Sequence, residues 1–171
     1  MEGSPQRVDP QRLAGLVRRA QSGDAMACAE LLELLTPAVT RWCGPIALDD
    51  GADAAQETLI VVLRRLPQLR DPAALFGWVR TIAVREAVRM AQRRPTMAEL
   101  TDIPATDDPQ LVIDVRDVLA RLSPEHRAIL MLRDLEGLNE RRAAELLAVP
   151  VGTVKSRLAR ARCSFRKGWQ S

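Results

Sequence analysis

Apolar residues recur at helical spacing through most of this chain. Leu13, Leu16 and Val17 mark one side of Gln11–Ala20, and Leu31, Leu32 and Leu35 mark one side of Asp24–Leu35. Ser22, Gly23 and Asp24 supply a turn and a cap between them, so the pattern predicts a helical hairpin. After the breaker-rich stretch Cys43–Gly51, Leu59, Val62, Leu63 and Leu66 form the apolar stripe of a third helix over Asp53–Leu66, which Pro67 ends. Asp53 near its start and Arg64 and Arg65 near its end both suit the helix dipole. A loop over Pro67–Pro72 leads to a long amphipathic helix. Its Leu75, Trp78, Val79, Ile82, Ala83 and Val88 face a core, and Arg80, Arg85, Arg89, Arg93 and Arg94 fall on exposed faces.

Periodicity then lapses. Pro95–Leu111 holds three prolines with several Thr and Asp residues and reads as an acidic linker, able to span up to ~60 Å when extended. Helical punctuation returns sharply beyond it. Val112–Leu122 predicts one helix. Ser123 caps the next, with Pro124 at its first position and Gly137 ending it after Ile129, Leu130, Leu132 and Leu135. Asn139 caps a third helix with Ala143, Ala144, Leu146 and Leu147, and a fourth begins a few residues later.

That last helix changes the picture. In VPVGTVKSRLARARCSFRK (149–167) six cations, Lys155, Arg157, Arg160, Arg162, Arg166 and Lys167, stand without one acidic residue. A solvated face normally mixes signs, because oppositely charged pairs four apart stabilise a helix by about 0.2–0.5 kcal/mol. Val154, Leu158, Ala161 and Phe165 recur on one side as a buried face, which turns the cations outward. A short helix, a tight turn and a second, cationic helix form a helix-turn-helix pattern, whose second helix fits the major groove of B-DNA. Thr153, Lys155, Ser156 and Arg157 lie where a recognition helix reaches base edges. Arg160 suits either bases or phosphates, and Arg162, Arg166 and Lys167 suit phosphates. Six phosphate contacts imply a log-log salt slope of about −5.

Composition agrees. Ala, Leu, Val and Arg dominate and aromatics make up only 3%, which favours an all-α fold. The formal charge of +3 is unevenly spread. Residues 1–94 carry +2, 95–117 carry −5 and 118–171 carry +6, which marks the last block as the polyanion binder. Cys28, Cys43 and Cys163 show no C-x-x-C spacing and read as reduced thiols of a cytosolic protein, structural or incidental. His126 has no neighbouring ligand or nucleophile, so neither a metal site nor a cofactor is expected. No convergent acid, base and nucleophile set suggests an enzyme. No apolar run approaches the ~20 residues of a membrane span, and MEGSPQRVDPQ lacks a signal-peptide core.

The stretch LSPEHRAILMLRDLEGLNERRAAELLAVPVGTVKSRLARAR resembles region 4 of sigma-70-family factors of the extracytoplasmic-function (ECF) group, where V-P-x-G-T-V-K-S-R-L-x-R-A-R is a highly specific string. Upstream, D-A-A-Q-E-T and F-G-W-V-R-T-I-A-x-R-E-A resemble that group's region 2. The two motifs occur in family order, cover nearly the whole chain and leave no room for a region 3 domain. The resemblance implies two small helical domains on a flexible acidic linker: region 2 over 1–94, linker over 95–112 and region 4 over 113–171. It implies a bacterial factor that binds core RNA polymerase and directs promoter-specific initiation, held by an anti-sigma partner, in the cytoplasm at the nucleoid.

By the same resemblance, Asp53, Gln56 and Glu57 dock on the clamp helices of the polymerase β′ subunit. The loop at 66–76 and the following helix capture the unpaired -10 strand, with Arg70, Phe76, Trp78, Arg80, Arg85 and Arg89 as candidates; Arg and Trp suit phosphate contact and base stacking. Region 4 reads the -35 element through Thr153, Lys155, Ser156, Arg157, Arg160 and Arg162 and touches the β-flap. Three features depart from the family pattern. Ala148 stands where Gly is usual, and a positive φ there costs roughly 1 kcal/mol. Leu59 and Leu63 replace aromatics. Asn139–Arg142 replace S-Y-E-E, which brings Arg141 and Arg142 toward the DNA backbone. Two other readings are a helix-turn-helix regulator that works without polymerase and a sigma-like interaction protein that does not initiate. The D-A-A-Q-E-T helix argues against the first, and the retention of Phe76 and Trp78 against the second.

Overall fold

The computed structural model describes residues 9–93 and 115–170, so the linker expected over 95–112, along with Arg94, lies outside the described residues. Among those described there are only helices. The first domain holds α1 (Pro10–Gln21), α2 (Ala25–Ala47), α3 (Gly51–Arg65) and α4 (Leu75–Arg93). The second holds α5 (Val115–Ala120), α6 (Pro124–Leu130), α7 (Glu140–Leu147) and α8 (Val151–Trp169).

The expected punctuation marks real ends. Asp9 caps α1, with Pro10 opening it. Asp24 accepts from the N–H groups of Met26 and Ala27 at 3.0 and 3.1 Å to cap α2. The Ala27 N–H, then the Arg19 guanidinium, hold the Asp24 carboxyl below its usual range. Ser123 caps α6, and Asn139 caps α7 by accepting from the Arg142 N–H at 2.9 Å.

Two elements differ from expectation. The second helix does not stop near Leu35; α2 runs on to Ala47 through Pro37, Gly44 and Pro45. Its stripe Leu31, Leu35, Val39, Trp42 and Ile46 is buried throughout, and that burial outweighs the backbone bonds the prolines forfeit. Pro37 lies on the exposed side, where water reaches the released carbonyl of Glu33. The predicted single helix from Pro124 also changes character, continuing past Leu130 as a π-turn over Met131–Leu135. The Glu136 N–H donates to the carbonyl of Met131, five residues back, at 2.9 Å. The extra residue per turn rotates Leu135 out of the stripe, leaving it 70% exposed although it was read as core.

Trp42 is the largest fully buried side chain, in a core that also holds Val62 of α3 and Val79 and Ala83 of α4. The α2–α3 turn is close enough that a Cβ on Gly51 would sit 3.0 Å from the Gly44 Cα. Cys43 is buried, its thiol pushed up to about 11 by burial, and Cys28 is half-buried. Cys163 is exposed, in keeping with an incidental thiol.

The two domains touch. α6 lies across α2 and α4, α7 packs on α4, and the buried side chains of both domains form one contiguous cluster. Arg127 sits in this seam, only 5% exposed. Its Nε donates to the Ile46 carbonyl of α2 at 2.7 Å, and its Nη1 donates to the carbonyls of Leu122 at 2.7 Å and Leu119 at 3.3 Å.

Ala148 adopts φ 53° and ψ 45°, the left-handed conformation in which a Cβ is strained. Ala148→Gly is therefore expected to raise stability by about 1 kcal/mol, read as a higher urea midpoint with an unchanged slope. Gly51→Ala is expected to lower stability by roughly 1–3 kcal/mol in the same titration, because its new methyl meets helix backbone.

Candidate nucleic-acid interface

The cationic helix is aimed by the turn before it. The left-handed residue Ala148 ends α7, and the Val149 N–H donates back to the Ala144 carbonyl at 3.1 Å. Pro150 then opens α8. Ala144 is buried where α7 meets α8, its small side chain allowing close approach. On α8, Val154, Leu158 and Ala161 are buried and Phe165 is half-buried, as their spacing requires. Lys155, Ser156, Arg160 and Arg162 are consequently exposed, as are Arg166 and Lys167.

Light contacts hold these side chains. The Arg160 guanidinium donates to the Ser156 hydroxyl at 3.4 Å, and that hydroxyl donates to the Thr153 carbonyl at 3.1 Å. Lys155 lies 3.6 Å from Glu140. Arg162 donates to both carboxylate oxygens of Asp134, a pairing that raises the Arg162 pKa. On α7, Arg141 is exposed and Arg142 pairs with Glu145 at 2.8 Å. Each exposed pair is worth at most about 1 kcal/mol, so a phosphate can displace it. Burial, then the charges of Arg160 and Arg157, holds His126 below the usual histidine range, consistent with a positive local field.

Thr153 and Arg157 are different, being half-buried. Arg157 lines a cleft against α4 together with Val84, Arg85, Arg89 and Glu125, so it faces the first domain rather than open solvent.

The candidate strand-capture residues divide similarly. Arg70 is exposed on the loop after α3, which Gln21 anchors by donating to the Leu66 and Leu69 carbonyls at 2.9 and 2.8 Å. Phe76 and Trp78 are half-buried, packed against the core. Arg80, expected on an exposed face, has a side chain only 20% exposed, stacked over the Trp42 ring at 5.2 Å. Arg85 is exposed, yet its Nε donates to the Leu146 carbonyl of α7 at 3.2 Å. Arg89 pairs with Glu86. A third face lies on α3, where Asp53, Gln56, Glu57 and Ile60 share one side; Asp53 and Gln56 are exposed and Ile60 is 43% exposed.

The sequence reading missed the residues of the seam. Glu136 lies 3.2 Å from Arg41 and 3.5 Å from Arg80, and Gln92 donates to Glu125. Arg116 pairs with Asp49. Arg127 did leave a trace, since it falls on the buried stripe Pro124, Arg127, Ala128 and Met131, an apolar register in which a cation stands out. Among the described residues there is no metal-ligating cluster, and no helix is long and apolar enough to cross a membrane.

A family profile described as sigma-70, region 4 matches residues 113–162, which contain α5 to α7 and most of α8. The ECF RNA polymerase sigma-E factor of Haemophilus influenzae is 31% identical, the alignment covering 86% of this chain and 89% of that protein. SigM of Mycobacterium tuberculosis, an ECF RNA polymerase sigma factor, is 36% identical over 70% of this chain and 64% of its own length. SigE of Mycolicibacterium smegmatis is 33% identical over 68% of this chain, and the match spans 51% of that longer relative. Two solved structures share the fold at a TM-score of 0.62: the sigma factor RpoE in complex with the anti-sigma factor NepR, from Bartonella quintana, and CnrH in complex with the cytosolic domain of CnrY. RpoE is 23% identical with 83% of this chain and 96% of RpoE covered; CnrH is 22% identical with 93% and 96% covered. With its helix-turn-helix matched to region 4 and 86% of its length aligned at 31% identity to a bacterial ECF sigma factor, the chain belongs to the ECF sigma factors of the sigma-70 family.

Proposed function

We propose that this chain, as an ECF sigma factor, binds core RNA polymerase, carries it to promoters bearing a particular pair of -10 and -35 elements, and acts by binding rather than catalysis. The observation that carries this reading is α8 itself. Val154, Leu158 and Ala161 bury one side of it, and the cations of the other side are presented to solvent immediately after a tight turn. A duplex reader is thereby linked, in one chain, to α3 with its outward Asp53, Gln56 and Glu57.

Roles follow from chemistry and placement. Lys155, Ser156 and Arg157, with Thr153 behind them, read base edges of the -35 duplex at the start of α8. Arg160, Arg162, Arg141 and Arg142 contact its phosphates. Asp53, Gln56 and Glu57 dock on the polymerase clamp helices, and Ile60 adds apolar area to that contact. Arg70, Phe76 and Trp78 take the melted -10 strand by phosphate contact and stacking, joined by Arg80, Arg85 and Arg89. Residues 1–94 and 113–171 act as separate domains on the polymerase, with 95–112 between them. The protein works in the cytoplasm at the nucleoid. An anti-sigma partner controls it, as the anti-sigma factor NepR accompanies the structurally similar RpoE.

Purified chain added to core polymerase is expected to yield promoter-dependent transcripts from a subset of genomic fragments. Absence of any such transcript across a whole-genome fragment library would refute the functional reading. Arg157→Ala is expected to weaken binding at one -35 base position by about 1–3 kcal/mol and relax preference there, measured by transcription from templates varied base by base. An unchanged preference profile would remove Arg157 from the readout.

A further inference from the structure

The loop between α3 and α4 is held by the last residue of α1, far from it in sequence. Gln21 donates from its side-chain amide to the Leu66 carbonyl at 2.9 Å and to the Leu69 carbonyl at 2.8 Å. Only the NH2 end of an amide can satisfy two carbonyl oxygens at once, so the chemistry fixes which way round Gln21 lies. Leu66 and Leu69 are themselves buried, and single 3-10 turns over Leu66–Gln68 and Pro72–Ala74 shape the two ends of the loop. Asp71 caps the second turn by accepting from the Ala73 N–H at 2.9 Å. Between these anchors Gln68, Arg70 and Asp71 are left exposed.

From this we propose that Gln21 is a positioning residue for base selection in the -10 strand: it orients the backbone from which Arg70 and Asp71 project. The loop's base preference then depends on a residue of α1. This rests on the reading of the loop at 66–76 as the strand-capturing element.

A peptide unit is planar and trans, so pinning the Leu69 oxygen also fixes the Arg70 nitrogen and points its N–H the opposite way. The bond from Gln21 therefore acts directly on the backbone of the loop's exposed cation. Contact with a phosphate tolerates a swivelling backbone, because it carries no sequence information. Discrimination between bases does not, since hydrogen bonds weaken steeply once stretched or bent. Without the amide, the two leucine side chains still hold the loop in place, but its peptide plane is released.

The test uses the full chain bound to core polymerase and a pool of single-stranded DNA 20-mers randomised at their central positions, with bound molecules sequenced. Gln21→Met keeps side-chain length and helix propensity and removes both donors. Gln21→Lys restores donors toward the same carbonyls, at a helix C-terminus where a cation is favoured. The wild type is expected to enrich particular bases. Gln21→Met is expected to lose that enrichment at least about fivefold at one or more positions, the equivalent of one base contact. Gln21→Lys is expected to keep the wild-type profile. A parallel pool of duplex DNA, read by α8, is expected to give one profile for all three proteins. An unchanged single-strand profile for Gln21→Met overturns the positioning role. Equal loss in the methionine and lysine variants also overturns it, because packing alone then explains the effect. Loss of the duplex profile by Gln21→Met overturns it too, by marking a role in folding at large. A wild type that selects no base from single strands while its duplex profile persists sinks the reading of the loop, and the role of Gln21 with it.

Discussion

One buried guanidinium organises the meeting of the two helical domains. Arg127 lies between the C-terminal ends of α2 and α5, where the last carbonyls of a helix lack partners within it and the dipole is negative. Burial pulls the Arg127 pKa below its ordinary value, yet arginine stays charged in proteins, so that charge must be compensated. Three carbonyls, one from the first domain and two from the second, supply the compensation. A shorter cation would not span both sides, and an apolar residue would strand the carbonyls at a cost of about 1–3 kcal/mol each.

The position of α6 follows from that contact, and the rest of the second domain follows from α6. α8 packs against α6 and α7, so its apolar stripe is fixed and its cations must face outward. The π-turn after α6 adds one residue to the register, which carries Glu136 to Arg41 and Arg80 and leaves Leu135 outside. Glu136 has a side chain only 10% exposed and touches two cations from different helices, α2 and α4. A local irregularity in one helix therefore sets the charge pairing between domains.

The reading face of α8 was legible because it depends on local rules. Apolar residues at 154, 158, 161 and 165 define one side, and nothing acidic lies between Val149 and Lys167. The caps Asp24, Ser123 and Asn139 were equally plain, since each side chain satisfies N–H groups two or three residues away. The strained turn was legible too, through Ala148 standing where left-handed backbone was expected. The prolines of α2 misled, because propensity describes an isolated segment and the burial of Val39, Trp42 and Ile46 is a tertiary gain. Leu135 misled because periodicity assumes 3.6 residues per turn throughout.

By itself the sequence determined an all-helical chain, the limits of most of its helices, the side of each that is buried, and a concentrated positive field on the last one. These depend on interactions spanning a few residues, which spacing and charge record directly. Tertiary structure decided which cations are drawn against distant helices. Arg80, Arg85 and Arg157 share the composition of Arg160, but their surroundings come from helices tens of residues away, through the Glu136 carboxylate, the Leu146 carbonyl and the cleft on α4. No local pattern encodes such an encounter, because it is fixed only when α6 and α7 settle against α2 and α4.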